Sequence, residues 1–526
     1  MTYSIQTVAV VGAGTMGAGI AQVAAQSGYQ VILFDLQKGK AEQAKAEIAL
    51  RFEKRVQNEK MTQESKDSIL SAMVCSETVE SMADADLVIE AIVEDLAIKQ
   101  SLFQQLEEIC RESTILATNT SSISITSIAS VLTKPERFVG LHFFNPAPLM
   151  KLVEVVNGIA TETAVSEVAK EWAQSCQKHA VVTRSLPGFI VNRVARPFYA
   201  EGLRALEVGV AQVQDIDTYI KQAGQFNMGP FELMDLIGHD VNYAVTKSVY
   251  DAYYQDKRFL PSLIQKELVD AGFLGRKSGR GFYRYHSETA KPIINLAKIE
   301  SEYDHFIVSV HGNWTVAPDF LALIGHEDQP VASIESSPNL FINGIFVAPT
   351  QGYTATELAH AKNMPVVVFD HCQDFLSSPV IALAAAAQNT QEQTEQIVAF
   401  FQSKGKQVLI VKDYPGLLLW RTWMMLINEA LDLVNQNGAS FDDVDIAMKS
   451  GVNYPVGPIE KGKALGWHNV LESLENLQAY YGEERYRASP LLRELTFKES
   501  MFQKSTQCPF SGQSLLDETN EESVQG

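Results

Sequence analysis

Two ionisable side chains lie in an otherwise apolar stretch, GLHFFNPAPLMKLVEVV, which covers residues 140–156. His142 stands near its start and Glu154 near its end, and a proline-containing connection separates them. A histidine that is neutral near pH 7 can take the proton of a hydroxyl group while the carbon loses a hydride. A carboxylate on the other ring nitrogen would fix the tautomer and stabilise the imidazolium. The pair therefore suits the oxidation of an alcohol, although both residues could also serve the core alone.

A glycine-rich turn near the N-terminus lies in a segment that predicts a β-α-β unit, IQTVAVVGAGTMGAGIAQVAAQSGYQVILFDL. Gly12 suits the tight turn, Gly14 lets the backbone approach a diphosphate, and Gly17 lets the helix pack on the strand. Asp35, at the end of the second strand, would accept the ribose hydroxyls and repel a 2′-phosphate, which favours NAD over NADP. The cofactor-binding residues predicted in this unit are Gly12, Gly14, Thr15, Met16, Gly17 and Asp35.

Strand-like and helix-like segments alternate to about residue 140, which predicts a Rossmann-type, doubly wound parallel α/β sheet. Ligands of such sheets bind at the carboxyl ends of the strands. Glu94, Ser121, Ser122 and His142 follow candidate strands. We therefore expect these four side chains to converge on the nicotinamide.

Several long motifs carry a family resemblance, namely ATNTSS, GLHFFNPAPLMKLVEVV, PGFIVNRV and GRKSGRGFY. With the glycine-rich turn, they resemble the 3-hydroxyacyl-CoA dehydrogenases over residues 1 to about 285. The resemblance implies that His142 is the catalytic base and Glu154 its partner. It implies further that Ser121 and Asn192 position the substrate. The additional cofactor-binding residues that it suggests are Glu94, Lys99, Asn119 and Asn145.

A segment of residues 184–285, apolar at helical spacing, predicts an all-α substrate and dimerisation domain. A second copy follows at a constant offset of 228 residues, without a gap. The matching pairs are Pro187 and Pro415, Arg193 and Arg421, Glu201 and Glu429, Asp215 and Asp443, Asp217 and Asp445, and Gly229-Pro230 and Gly457-Pro458. Trp420 takes the place of Asn192, and the same offset puts Asp370 at the position of His142 and Ala382 at that of Glu154. We expect the second half to be catalytically silent.

The predicted domain order follows from this duplication. It is an NAD-binding Rossmann domain (1–183), a helical domain (184–285), a degenerate α/β domain without a GxGxxG motif (295–410), a second helical repeat (411–500) and a loose polar tail (501–526). In single-copy members of the family the helical domain is the dimerisation element. Two copies in one chain could therefore pack as an internal pseudo-dimer, or the chain could form a homodimer.

The composition of the 526 residues limits the partners and the compartment. A net charge of -20 argues against nucleic acid or an anionic membrane as a partner. Five cysteines without metal-like spacing predict free thiols and no metal site. The start of the chain lacks a signal sequence, and no apolar run is long enough for a membrane span. These features predict a cytoplasmic protein.

An acyl-CoA substrate is implied by the resemblance. Residues 38–60 hold seven Lys or Arg against four Glu, and Lys54 and Lys60 are candidates for the CoA phosphates, although a solvated helix explains such a segment more often. The tandem layout resembles the 3-hydroxyadipyl-CoA dehydrogenases of bacterial phenylacetate breakdown. A terminal carboxylate would require Arg or Lys in the acyl pocket, and Arg193 and Arg196 are both candidates. The alternatives are a 3-hydroxybutyryl-CoA dehydrogenase and a non-catalytic NAD-binding structural or sensing protein.

Overall fold

The computed structural model describes residues 4–285, 293–299, 303, 305–312, 318–325 and 339–506. Its named strands form two sheets. The strands of the first sheet are β1 (Thr7–Val11), β2 (Gln30–Phe34), β3 (Met73–Ser76), β4 (Leu87–Glu90), β5 (Ile115–Thr118), β6 (Phe138–Phe143), β7 (Leu152–Asn157) and β8 (His179–Arg184). Those of the second sheet are β9 (Val308–His311), β10 (Asn339–Ile342), β11 (Ile345–Pro349), β12 (Val366–Phe369), β13 (Val380–Ala385) and β14 (Gln407–Ile410).

The helices fall into groups that alternate with the sheets. The first sheet carries α1 (Thr15–Gln26), α2 (Lys40–Gln57), α3 (Gln63–Ser71), α4 (Leu96–Ile109), α5 (Ile125–Ala129) and α6 (Thr163–Ser175). The first helical domain comprises α7 (Val191–Val194), α8 (Arg196–Glu207), α9 (Val213–Gln222), α10 (Pro230–Ile237), α11 (His239–Ala252) and α12 (Leu263–Asp270). The second sheet carries α13 (Pro318–Ile324), α14 (Ala355–Lys362) and α15 (Gln391–Ser403). The second helical domain comprises α16 (Leu419–Asn435), α17 (Phe441–Gly451), α18 (Pro458–Leu465), α19 (Trp467–Tyr481) and α20 (Pro490–Thr506).

The first sheet has eight strands in the order β3-β2-β1-β4-β5-β6-β7-β8. Strands β1 to β6 run parallel, so the doubly wound sheet expected to about residue 140 is confirmed. Strand β7 then runs antiparallel to β6, and β8 runs parallel to β7. This reversal pairs His142 with Glu154 across the two strands.

Helices cover both faces of the first sheet, and each face has its own apolar core. On one face, α1, α2 and α6 bury residues such as Ile20, Phe52 and Trp172. On the other face, α4 and α5 bury residues such as Phe103 and Ile128. The central strands are apolar on both sides because both sides are covered, as expected for a parallel sheet.

The second sheet has six strands in the order β14-β13-β12-β11-β10-β9. Its last three strands repeat the pattern of β6, β7 and β8, since β12 and β13 are antiparallel and β13 and β14 are parallel. The predicted α/β segment is therefore present. A hairpin of β9 and β10 stands at the other end of this sheet, where the first sheet continues to its dinucleotide-binding strands.

The two helical domains repeat each other at the predicted offset. Helix α10 begins at Pro230 and α18 begins at Pro458, each after a glycine at the N-cap. Pro fits this first position because its missing N–H has no partner there in any helix. In both copies an aspartate two helical turns before that glycine, Asp217 or Asp445, accepts hydrogen bonds from the first free N–H groups of the helix. The duplication is thus visible at the level of single hydrogen bonds.

Each sheet rests against the helical domain of the other half of the chain. The backbone N–H of Arg184, at the end of β8, donates to the carbonyl of Gly438 at 2.8 Å. The matching bond runs from Lys412, just after β14, to the carbonyl of Val210 at 3.0 Å. One apolar core joins both helical domains and the second sheet. This exchange is the internal pseudo-dimer that the duplication predicted.

Three further findings concern the chain as a whole. Cys75, Cys110, Cys176 and Cys372 are free thiols, while Cys508 lies outside the described residues. Helix α20 continues to Thr506, six residues beyond the boundary predicted at 500. Within the described ranges, no helix has the length and apolarity needed to cross a membrane.

Candidate active site

His142 and Glu154 form a hydrogen-bonded pair inside the protein. The Nδ1 atom of His142 lies 2.6 Å from Oε2 of Glu154. The Glu154 side chain is fully buried and that of His142 is 7% exposed. The rings of Phe144 and Phe189 lie 4.5 Å and 5.8 Å from the imidazole. The contact that sequence spacing alone could not establish is therefore made, in an apolar environment that strengthens it.

A tight turn before α7 holds the other oxygen of Glu154. Oε1 accepts hydrogen bonds from the backbone N–H groups of Ile190 and Val191 at 3.0 and 2.9 Å. The turn needs left-handed backbone at Gly188 and at Phe189, whose φ angles are 80° and 48°. The carboxylate is thus fixed at both oxygens, because β7 supplies the side chain and the turn supplies the donors.

Glu94 collects the hydroxyl groups that follow β5. Its Oε1 accepts from Thr120 Oγ1 at 2.6 Å, from the Ser121 N–H at 3.1 Å and from Ser122 Oγ at 3.1 Å. Burial raises the pKa of Glu94, but these hydrogen bonds and the charge of Lys99 outweigh it, so the net pKa is lowered. The expected convergence of Glu94, Ser121 and Ser122 is therefore present, with an ionised carboxylate at its centre.

Lys99 lies beneath this cluster rather than at its surface. Its side chain is 1% exposed, and its ammonium lies 2.6 Å from Glu90 and 3.3 Å from Glu94. The charge of Lys99 therefore acts on a cofactor through Glu94, whose position it stabilises.

Asn119, Ser121 and Asn192 connect the three parts of the site. The side-chain oxygen of Asn119 accepts from the backbone N–H of Phe143 at 2.8 Å, next to His142. The Asn192 amide donates to the carbonyl of Ser121 at 3.4 Å. Ser124, not Ser121, caps α5. Ser121 is thus not required as a helix cap, and its hydroxyl has only a long contact of 3.5 Å, to Glu94.

The glycine-rich turn forms a cradle with room for a diphosphate. A Cβ atom on Gly12 would come 2.6 Å from the Ala91 carbonyl, and one on Gly17 would come 1.8 Å from the Gly12 carbonyl. A Cβ atom on Gly14 would meet nothing within 4 Å, because this residue faces open space. The first turn of α1, with Thr15 and Met16, has no side-chain cap and no acidic residue. These are the properties of an anion site at a helix N-terminus.

A cleft of about 990 Å³ continues from this cradle to Asp35. The Asp35 carboxylate is oriented by the N–H groups of Ala13 and Gln37, at 2.7 and 2.9 Å. Exposed apolar side chains, Leu36, Val93 and Ile98, also line the cleft. An acid for ribose hydroxyls beside an apolar surface for an adenine ring fits NAD.

A second cavity, of about 520 Å³, opens beside His142 and is called the acyl cavity below. Asn145 and Asn192 lie at its wall, together with Phe144, which contacts His142. Most of its lining is apolar. Its far wall comes from the second helical domain, which contributes Gly451, Val452, Asn453 and Tyr454. The second half therefore completes a cavity that belongs to the first half.

The two candidate arginines point to different places. Arg193 is buried against Glu429 and Asp432 of α16, so it belongs to the contact between the helical domains. Arg196 lines the acyl cavity. Their spacing of three residues on one helical stretch sends the side chains to different neighbours.

A basic cleft of about 580 Å³ lies between α1, α2 and the loop that follows Asn145. Its cations are Lys40, Arg51 and Arg55. Lys54 and Lys60, the residues predicted from the sequence, do not line it. Lys54 precedes Arg55 by one residue and therefore projects about 100° away around the helix.

In the second half the position of the base is occupied by a carboxylate with a structural task. Asp370 accepts hydrogen bonds from the backbone N–H groups of His371, Leu418, Leu419 and Trp420, all between 2.7 and 2.9 Å. Burial raises the pKa of Asp370 to about 6, although the hydrogen bonds oppose this. The aspartate thus does for the second turn what Glu154 does for the first.

The space around Asp370 is filled by side chains of the second half. Trp420 occupies the position of Asn192 and donates to Ser473 Oγ at 3.0 Å. Lys461 is buried with its ammonium 2.8 Å from His371 Nε2 and 2.9 Å from Gln373 Oε1. This packing supports the expectation of a silent second half.

Several wall residues were not predicted from the sequence. Thr120 anchors Glu94, and Tyr199, Leu233, Asn242 and Tyr454 line the acyl cavity. Helical spacing from Asn192 could have indicated Tyr199, which lies seven residues later. No sequence signal joins Tyr454 to this cavity, since it comes from the other copy.

Comparisons with known proteins agree with this architecture. Residues 7–186 match the 3-hydroxyacyl-CoA dehydrogenase NAD binding domain, and residues 188–285 and 416–510 match the 3-hydroxyacyl-CoA dehydrogenase C-terminal domain. Residues 347–415 match the 3-hydroxybutyryl-CoA dehydrogenase reduced Rossmann-fold domain. The helical domain is therefore matched twice, as the offset of 228 residues requires.

Individual relatives cover either the whole chain or its first half. A 3-hydroxyadipyl-CoA dehydrogenase of Escherichia coli K12 is 46% identical over 96% of this chain and 100% of its own length. A 3-hydroxybutyryl-CoA dehydrogenase of Bradyrhizobium diazoefficiens is 40% identical over 56% of this chain and 99% of its own. A crystal structure described as 3-hydroxybutyryl-CoA dehydrogenase from Escherichia coli K12 superposes with a TM-score of 0.85 at 45% identity, covering 95% of this chain and 100% of that one.

Proposed function

Since this chain belongs to the 3-hydroxyacyl-CoA dehydrogenase family and is an NAD-dependent oxidoreductase, we propose that it oxidises 3-hydroxyadipyl-CoA to the 3-oxoacyl-CoA. The observation that carries the proposal is the buried pair of His142 and Glu154 at 2.6 Å, beside the acyl cavity. The specific substrate rests on the 46% identity to a 3-hydroxyadipyl-CoA dehydrogenase over nearly the whole chain. The alternative substrate is 3-hydroxybutyryl-CoA.

His142 is the general base of this reaction. Glu154 occupies Nδ1, which leaves Nε2 as the nitrogen that takes the proton of the 3-hydroxyl group. The imidazolium formed is stabilised by the carboxylate, which cannot turn away because Ile190 and Val191 hold its other oxygen. As the proton leaves, the C3 hydrogen departs as hydride and the C3–O bond becomes a carbonyl. NAD supplies the hydride acceptor when it is bound.

Ser121 and Asn192 position the substrate against this base. The hydroxyl of Ser121 and the amide of Asn192 come from the two domains that flank the cleft, and a 3.4 Å hydrogen bond to the Ser121 carbonyl joins them. Two polar groups on opposite walls can orient the 3-hydroxyl and the thioester carbonyl at once, which lowers the entropic part of the barrier. Asn119 and Asn145 shape the backbone and the wall beside them.

The cofactor and the CoA nucleotide bind at separate clefts. NAD binds along the Gly12, Gly14 and Gly17 cradle with its ribose on Asp35, and Glu94 stands toward the nicotinamide end. The CoA phosphates bind at the basic cleft of Lys40, Arg51 and Arg55, with Lys54 and Lys60 contributing at most long-range attraction.

The test is a comparison of kcat/KM for 3-hydroxyadipyl-CoA and 3-hydroxybutyryl-CoA, followed by NADH absorbance. We expect turnover of both and a clear preference for 3-hydroxyadipyl-CoA. A preference for 3-hydroxybutyryl-CoA would reject the proposed substrate, and a lack of turnover with either would reject the mechanism.

A further inference from the structure

We propose that Arg196 binds the terminal carboxylate of the acyl chain and thereby sets the preference for a dicarboxylic acyl-CoA. This inference rests on the proposed function, and it assigns the specificity to one residue. Arg196 is the single Lys, Arg, Asp or Glu among the described residues that line the acyl cavity. The remaining wall is largely aromatic and aliphatic, so a charged end of a substrate has one partner there.

Arg196 differs from the other buried arginines of the described chain in having no acid. Each of the others has a carboxylate oxygen within 4.0 Å; they are Arg137, Arg193, Arg258, Arg421 and Arg485. Arg196 is 5% exposed, and its hydrogen bonds go to Thr246 Oγ1 at 3.0 Å and, at 3.5 Å, to the carbonyl of Asn242. Burying a guanidinium without a counter-ion costs free energy. A substrate carboxylate would supply the missing charge.

Two unpaired polar atoms belong to the residues at this end of the cavity. The Nε atom of Arg196 and the hydroxyl of Tyr454 are both buried without a hydrogen-bond partner. The Tyr199 ring lies 4.8 Å from the Arg196 guanidinium carbon and fixes its plane. Burial lowers the pKa of Arg196 and raises that of Tyr454, while the charge of Arg196 partly offsets the latter. A carboxylate could accept from both unpaired groups.

The position of Arg196 along the chain matches the length of the substrate. Asn192, which positions the reacting end, lies four residues earlier, or about 6 Å along a helix. In 3-hydroxyadipyl-CoA two methylene groups separate the hydroxyl carbon from the terminal carboxylate. A residue one helical turn beyond Asn192 can therefore reach that carboxylate with its long side chain.

The second copy carries Met424 at the position of Arg196. Met424 is buried in the core of α16. A cation is therefore not needed to build this part of the repeat. The same comparison suggests Arg196→Met as a variant that the fold accepts.

The experiment compares 3-hydroxyadipyl-CoA with 3-hydroxyhexanoyl-CoA, which has the same chain length and a methyl end. For Arg196→Met we expect kcat/KM for 3-hydroxyadipyl-CoA to fall by about 10²-fold or more, with the value for 3-hydroxyhexanoyl-CoA within about 3-fold of wild type, since apolar contacts persist. Arg196→Lys should restore part of the loss, because it keeps the charge. Arg276→Met, which removes an exposed arginine of the same domain, should leave both values unchanged.

The outcomes separate this inference from the proposed function. If wild type prefers 3-hydroxyadipyl-CoA and Arg196→Met keeps that preference, the role of Arg196 is wrong while the substrate stands. If wild type oxidises both substrates equally well, the dicarboxylic substrate and the role of Arg196 are both rejected. If Arg196→Met loses activity toward both substrates alike, Arg196 is structural and the inference is overturned.

Discussion

Arg193 and Glu429, 236 residues apart in sequence, form a buried ion pair in which Nε of Arg193 lies 2.5 Å from Oε1 of Glu429. The same pair recurs with the copies exchanged, since Arg421 of α16 binds Glu201 of α8. Isologous contacts of this kind are the mark of a two-fold dimer. Here both partners belong to one chain, so the duplicated helical domain has internalised its own interface.

We expect the removal of one of these arginines to destabilise the protein strongly. Arg421→Met leaves Glu201 buried with Arg204 as its remaining ion-pair partner, which should lower the free energy of unfolding by about 3–5 kcal/mol. Urea unfolding followed by circular dichroism measures the change. Lys449→Met, which breaks an exposed pair with Glu460, is the control and should cost at most about 1 kcal/mol. Equal losses in both variants would contradict the structural role of the buried pair.

The base can be tested without disturbing the cofactor site. We expect His142→Gln to lower kcat by about 10²-fold or more, because the proton of the hydroxyl group then has no acceptor. NADH binding, measured by fluorescence titration, should be unchanged, since the glycine cradle is formed by other residues. Normal turnover by this variant would show that another residue is the base.

Deletion of residues 411–526 tests the pseudo-dimer. The deletion exposes the face of α8 that packs on α16 and removes the Gly451–Tyr454 wall of the acyl cavity. We expect the shortened chain to aggregate or to form a new dimer, and to lose most of its kcat/KM. Size-exclusion chromatography and an activity assay measure both effects. A fully active monomer would be incompatible with the role given to the second half.

The buried Lys461 predicts a pH dependence of stability. Burial lowers its pKa from 10.5 to about 8, so between these values the unfolded chain binds the proton and the folded chain does not. The contribution of Lys461 to stability therefore rises with pH from about 8 to 10.5. Compared with Lys461→Met, the unfolding temperature of wild type should improve between pH 7 and about 9.5.

Lys463 provides the control for this pH effect, because it lies exposed on the same helix. The difference between wild type and Lys463→Met should stay constant over the same pH range. Parallel melting curves for wild type and Lys461→Met at all pH values would disprove the shift.

The basic cleft predicts which residues affect the affinity for CoA substrates. We expect Arg51→Ala and Arg55→Ala each to raise KM by about 3–10-fold, as the loss of one partly exposed phosphate contact would. Lys54→Ala should change KM by less than about 2-fold, because its side chain projects away from the cleft. With a 3-hydroxyacyl-pantetheine, which lacks the nucleotide, all three variants should match wild type. An equal effect on both substrates would place the CoA phosphates elsewhere.

Much of the fold followed from local patterns. The glycine-rich turn, the alternation of strands and helices, and the gapless repeat predicted the first sheet, the helical domains and the pseudo-dimer. Their periodicity is imposed by backbone geometry, which acts over a few residues. The boundary at 500 was placed too early, since α20 continues to Thr506 and helix ends depend on contacts beyond the local sequence.

The candidate site was predicted in its residue types but not in all of its contacts. His142 and Glu154 were identified together, and β6 and β7 bring them into contact. The directions of Arg193 and Arg196 were left open, because a side chain's neighbours depend on which elements pack against its helix. For the same reason Lys54 was named in place of Arg51 and Arg55.

The amino-acid sequence alone determined which groups can do chemistry here: an imidazole with a carboxylate, a glycine cradle with an acid at the second strand, and a second copy that has lost the equivalents. Only the tertiary structure decided that Arg193 belongs to an interface and Arg196 to a cavity, and that the silent copy walls the active one. Composition and spacing act through the local backbone, whereas these relations arise from burial between segments more than 200 residues apart, for which the sequence holds no local signal.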